Sequence, residues 1–120
     1  MEKMIIIDGK EINLKVTAAC TRLYKMQFRR DLMRDVYKLK TLDNFIKDGE
    51  VVAPDELIAN VDFEMFLDLL WTFAKKADPS IPSPLEWEDQ FTVIPFRDIL
   101  PVVMELLTVL LDGQKKSLAK

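Results

Sequence analysis

Asp78-Pro79-Ser80-Ile81-Pro82-Ser83-Pro84-Leu85-Glu86-Trp87 is the stretch whose reading decides how the rest of this chain is arranged. Prolines at 79, 82 and 84 cannot lie inside a helix or a central strand, because each lacks an N–H and has its φ fixed by the ring. One helix therefore ends near Ala77 and another starts at Pro84. Ser83 is placed to cap the new helix, Pro84 suits its first position, and Glu86 can reach back as the acid of a capping box. Trp87 and Phe91 follow and must bury against something. The pattern is helix, rigid corner, helix, with Pro82, Pro84, Trp87 and Phe91 as its structural residues.

Upstream of the corner, Asp62 is a fair N-cap for Phe63–Lys76. Phe63, Phe66, Leu67, Leu70, Phe73, Ala74 and Ala77 recur at i, i+3, i+4, i+7, which predicts an amphipathic helix. Met65, Leu69 and Trp71 widen its apolar face and make it central. Lys75 and Lys76 fall in its last turn, where they favour the macrodipole. Downstream, Pro95 opens a last helix that is apolar almost all round. Asp98, Glu105 and Asp112 share one heptad position, so it shows water a single strip. Its apolar surface serves either the core, crossing back over the Phe63 helix, or an oligomer contact. Pro101 should bend its first turns, and Gly113 should end it as a C′ residue.

At the other end, Asp8-Gly9 separates Lys3–Ile7 from Glu11–Val16, the strongest short-range hairpin signal. Ile12, Leu14 and Val16 would face the core and Asn13 and Lys15 the solvent. Such a hairpin needs a helix or another strand beneath it. Thr17 can cap a long helix running to about Lys40. That helix carries one stripe of Cys20, Tyr24, Phe28, Leu32 and Val36, and a second of Leu23, Met26, Met33 and Tyr37. Two stripes require two things to pack against: the core, and either the hairpin or another chain. Methionines at 26 and 33 suit both adaptable binding surfaces and ordinary core filling. Between the two halves, Leu42–Lys47 and Pro54–Asn60 read as short helical turns joined by a loop. The expected architecture is α+β, mostly α: a hairpin (3–16), a body of four to five helices (17–112) and a basic flexible tail (113–120), forming one domain.

Composition narrows the function. The chain of 120 residues has 49% hydrophobic and 31% charged residues, as a soluble globular domain does. Its net charge of −3 hides a split. Residues 20–40 hold seven basic and two acidic side chains, and residues 41–112 hold four basic and fifteen acidic ones. Self-association as a homo-oligomer, or an oppositely charged partner, follows naturally. There is no histidine, which removes the commonest general base and metal ligand. The single cysteine, Cys20, forms no intramolecular disulfide, builds no structural zinc site, and sits where a small core residue belongs. Gly9, Gly49 and Gly113 are too far apart to cradle a phosphate. Glu86, Glu88 and Asp89 cluster, and on a short capped helix they serve the dipole and solvation rather than acid–base chemistry. Arg22, Lys25, Arg29, Arg30 and Arg34 could meet phosphates, but the interleaved Asp31 and Asp35 favour a solvated face or a match to the acidic residues 41–68. No enzyme, cofactor, metal, nucleic acid or membrane is expected. Ile99–Leu111 is broken by Glu105 and is shorter than the roughly 18 residues of a span.

The hairpin Ile5-Ile6-Ile7-Asp8-Gly9-Lys10-Glu11, the long helix after it, and above all Leu69-Leu70-Trp71-Thr72-Phe73-Ala74-Lys75-Lys76-Ala77-Asp78 leading into Pro82-Ser83-Pro84-Leu85-Glu86-Trp87 resemble the tail assembly chaperones of long-tailed siphophages and prophages of Gram-positive bacteria. Phe91, Ile94-Pro95 and Ile99-Leu100-Pro101 continue the likeness. The resemblance implies a non-enzymatic protein of the host cytoplasm. It would bind the tape measure protein, together with the tail tube protein, keep the former soluble while the tube polymerises, and be left out of the mature virion. Such proteins often have a second, longer product made by ribosomal frameshifting near the end of the short gene; if Lys115-Lys116 is encoded by an A-rich run, it would be the slip site, and the absence of a slippery heptamer there would sink this placement. The partner-binding residues expected on this reading are Leu23, Met26, Phe28, Met33 and Tyr37, flanked by Arg29, Arg30 and Arg34. A small phage-encoded regulator or inhibitor of a host protein would share the same helical character.

Overall fold

Residues 1–118 are described by a computed structural model of the chain. Two strands, β1 (Glu2–Ile7) and β2 (Lys10–Lys15), pair antiparallel with Ile5 opposite Ile12 and Lys3 opposite Leu14. Asp8 and Gly9 both take positive φ, 52° and 75°, as the two-residue turn requires. Ile5, Ile7, Leu14 and Val16 are buried, Ile12 is partly so, and Met4 and Ile6 point outward. The hairpin lies chiefly on α4 (Phe63–Ala77) through β2.

The expected helix from Thr17 to Lys40 is two helices. α1 (Ala19–Phe28) ends where Arg29 turns left-handed at φ 61°, and α2 (Leu32–Lys40) restarts after Asp31. Asp31 Oδ1 accepts from the Met33 and Arg34 amides at 2.9 and 3.4 Å, so it is a true N-cap. Thr17 does not cap: α1 follows Ala18 without a side-chain cap, and the Thr17 hydroxyl is buried without a partner. The elbow separates the two helices' tasks. α1 packs on α4, while α2 packs on the last helix, α6 (Phe96–Leu118).

A 3-10 turn, Thr41–Phe45, leads into a second small hairpin, β3 (Ile46–Lys47) and β4 (Glu50–Val51). A strand therefore stands where part of a helical turn, Leu42–Lys47, was expected. The cause is Asp48-Gly49, whose φ values of 53° and 79° repeat those of Asp8-Gly9. α3 (Pro54–Asn60) follows as expected.

α4 is central, with Met65, Phe66, Leu69, Leu70, Trp71 and Phe73 buried. The proline corner leads from it to α5 (Pro84–Glu88). Ser83 occupies the cap position, but no side-chain cap bond forms, so the expected capping box is absent. Two donors from α4 hold the corner instead. Trp71 Nε1 donates to Pro82 O at 2.9 Å, and Lys75 Nζ donates to Pro79 O and Ile81 O at 2.7 Å each. The prolines leave the corner few N–H donors of its own beyond Ile81 N–H to Asp78 O, so its other carbonyls take donors from residues one helical turn apart on α4.

α6 buries Ile99, Leu100, Val103, Met104, Leu106, Leu107 and Leu111, and exposes Asp98, Glu105 and Asp112. It serves the core, though not by crossing back over α4. Its main partner is α2, with β1 and β4 beside it, because β2 and α1 already occupy α4. It meets α4 through Phe96, whose ring lies 4.9 Å from Phe63 and 4.6 Å from Phe66. The helix passes through Gly113 rather than ending there. Of the expected basic tail, Ala119 and Lys120 lie outside the described residues.

The whole is α+β and mostly α, with six α-helices among the described residues. This is one more than expected, since the first helix divides. No described helix is long and apolar enough to cross a membrane.

Candidate functional site: an acidic and aromatic groove along α4

The residues expected to bind a partner divide into two groups. Met26 and Tyr37 are 68% and 53% exposed, and Arg29 and Arg34 also face solvent. Leu23 and Met33 are partly buried against the core. Phe28 packs between Tyr24 (centroids 5.1 Å apart) and Trp71 (5.7 Å, edge-on). An acid at Phe28 would therefore damage the fold.

Arg30 turns inward and is the hub of a part-buried network. Its Nε donates to Asp35 Oδ2 at 2.9 Å, and its Nη2 donates to the Tyr24 hydroxyl at 2.9 Å and to Asp68 Oδ2 at 2.5 Å. The Tyr24 hydroxyl donates to Asp35 Oδ2 at 2.6 Å. Burial and Asp35 push the Tyr24 pKa up, so the phenol stays a donor. The Asp68 bond, against the cost of burial, holds Arg30 firmly protonated. The match of basic helix to acidic segment anticipated from the charge split is thus made at Arg30–Asp68, so the Arg30 guanidinium is engaged within the chain.

Arg30 and Phe28 also form one wall of an open groove of about 560 Å³ above α4, with Glu64 and Asp68 along its floor and Pro84, Leu85 and Glu88 opposite. A second depression of about 250 Å³ adjoins it across Glu88, lined by Phe63, Leu67, Phe91, Ile94 and Phe96. The two form one surface. Leu85, 71% exposed, stands on one side of Glu88, and Phe63, 41% exposed, stands on the other. α5 holds Glu88 half-buried over the groove because Trp87, its neighbour, is locked inward and stacks edge-on against Phe91 at 5.3 Å. Burial pushes the Glu88 carboxyl up, and the nearby Asp68, Asp89 and Glu64 add to it. Asp68 is likewise raised by burial, opposed by Arg30 and reinforced by Glu64 and Asp62.

The sequence reading assigned Glu88 to solvation and counted Phe63 and Leu67 as core. Helical periodicity alone cannot reveal that Phe63, in the first turn of α4, stays half-exposed although its ring packs on Phe96. The usable signal is the density of acids around Trp87 and Phe91, where an aromatic anchor and carboxylates are forced into one short helix. Among the described residues, no cluster of three or more His, Cys, Asp or Glu side chains is arranged to hold a metal ion.

Comparison of the chain with models of protein families, with curated proteins and with solved structures gives no match.

Proposed function

We propose that this chain is a non-enzymatic tail assembly chaperone of the siphophage and prophage type, which binds the tape measure protein and keeps it soluble while the tail tube is built. One observation carries the reading: apolar side chains stand open beside α4 and on the α1–α2 face, where a folded monomer gains nothing by exposing them. Phe63, Leu85, Met26 and Tyr37 are among them. Exposed apolar residues grouped beside a groove mark interaction surfaces. On this reading the protein acts in the cytoplasm of the bacterial host, meets the tail tube protein through its client, and leaves before the virion matures.

Co-expression of the tape measure protein with and without this chain tests the reading. The expected result is soluble tape measure protein, co-eluting with the chain, only when both are made. Insoluble tape measure protein in both cases would overturn it, and stable capture of a purified host enzyme instead would favour the regulator.

A further inference from the structure

We infer that the groove between α1, α4 and α5 is a docking site for a positively charged amphipathic helix of a client protein, with Lys or Arg side chains meeting Glu64 and Glu88 while its apolar stripe covers Phe63, Phe96 and Leu85. The inference rests on the protein-binding reading above and names the chemistry of the bound segment.

Charge complementarity selects the sign. Glu64, Asp68 and Glu88 line the surface, and Arg30 is the one cation among its lining residues. That cation is already shared between Asp35 and Asp68. Glu64 and Glu88 therefore lack a basic partner in the groove. The carboxyls also crowd one another, since Asp68 and Glu64 both raise Glu88. A cation brought from outside relieves that crowding, whereas an acidic segment would deepen it.

The walls select the shape. α1, α4 and α5 wall the surface with side chains, and apart from first-turn amides their backbone donors are spent within the helices. No strand residue lines the surface: β1 and β2 pair with each other, and their hairpin reaches its rim only through Asp8 on the Thr92 amide and Lys10 over the Phe91 ring. An extended peptide would leave its own N–H and C=O groups without partners, while a helix satisfies them internally. Apolar anchors at Leu85 and Phe63, flanking Glu88, match a helix whose apolar stripe is bordered by basic residues.

The test uses the full chain and two synthetic peptides of about 20 residues, long enough to become helical on binding. Both carry the same Leu stripe; one has Lys and the other Glu beside it. Fluorescence anisotropy at low salt should show the Lys peptide binding at least about tenfold more tightly, with the difference shrinking as salt rises. Glu64→Lys and Glu88→Lys should each abolish that preference. Circular dichroism should show both variants folded, and Glu64 is solvent-exposed, so at least that variant leaves packing intact. Equal binding of the two peptides, or a preference that survives both substitutions, overturns the inference. So does a change in sedimentation, rather than in peptide binding, when the charges are reversed, which would mean that a second copy of this chain fills the groove. The two readings fail separately. Tape measure protein still kept soluble by the double variant removes the groove and leaves the chaperone. Lys-peptide binding without any effect on tape measure solubility removes the chaperone and leaves the groove.

Discussion

The chain turns between helices at two places that face each other across the groove: the proline corner Asp78–Ser83 and the elbow Arg29–Asp31. They are built on opposite principles. The corner is written into its own residues, three prolines that no helix can pass, and α4 merely ties down the carbonyls they leave. The elbow has neither glycine nor proline. Arg29 adopts a left-handed backbone that costs a side-chain-bearing residue free energy, and the local bonds there, Arg29 N–H to Lys25 O and the Asp31 cap, are joined by a distant one. Arg30, the next residue, reaches a carboxylate 38 positions away and another five away. A corner made of prolines survives changes around it, whereas an elbow made of a distant ion pair depends on its partners.

The sharpest way to break this comparison is Arg30→Met. It leaves Asp35 and Asp68 buried without their cation, and should cost about 3 kcal/mol in chemical denaturation. Pro82→Ala, by contrast, should cost less than about 1 kcal/mol, chiefly by freeing the unfolded chain. A reversed order would mean that the corner, not the elbow, depends on tertiary contacts. Arg30→Lys should recover only part of the loss, since an ammonium cannot span three acceptors as the planar fork does.

Trp71→Phe tests the tie on the corner. It removes the Nε1–H bond to Pro82 O and shrinks the ring against Phe28, and should cost about 2 kcal/mol by the same measurement. Arg29→Gly should act in the opposite direction, raising stability by about 0.5–1 kcal/mol, because glycine adopts φ 61° without strain. A loss there would mean that the arginine side chain, not its backbone, sustains the elbow.

The smallest effect is a pH dependence. Glu88 is raised above its ordinary value, so the folded state binds its proton more readily than the unfolded state. Stability contributed by Glu88 therefore falls as pH rises through that raised value, and is regained on acidification. Glu88→Gln should gain roughly 0.5 kcal/mol or less at neutral pH, after allowance for solvent screening, and nothing once the wild-type carboxyl is protonated. Thermal melts across the acidic range would read it, and an advantage that grew on acidification would contradict the assignment.

The two Asp-Gly turns show where legibility ends. Both have the same left-handed pair of residues and both reverse a strand. Asp8-Gly9 was readable because six-residue strands alternate on either side of it. Asp48-Gly49 joins strands of two residues, too short for any alternation to register, and the helix-like spacing of Leu42, Phe45 and Ile46 misleads. α4, α6 and the corner were legible for the same reason as the first hairpin, since long periodic runs and prolines leave little choice. The elbow was not, because its cause lies in Asp68. Its one local mark is Asp31, an N-cap acid just before Leu32. The groove was illegible because exposure at Phe63 and Leu85 depends on what fails to pack there, which no periodicity records.

Asp8 in the first hairpin turn accepts from the Thr92 amide at 2.8 Å, and Lys10 lies 5.6 Å from the centre of the Phe91 ring. Asp8 and Thr92 are 84 positions apart. At ordinary rates of translation, roughly 4 to 17 seconds separate the appearance of one from that of the other. For that interval the hairpin has its turn but not its clasp, and Ile5, Ile7 and Leu14 have no complete surface to cover them. The finishing of the fold is thus timed by synthesis: this latch closes only when the loop after α5 arrives, with α6 still to follow onto β1, and a pause in translation before Thr92 would prolong the stage at which the strand pair is open to other chains.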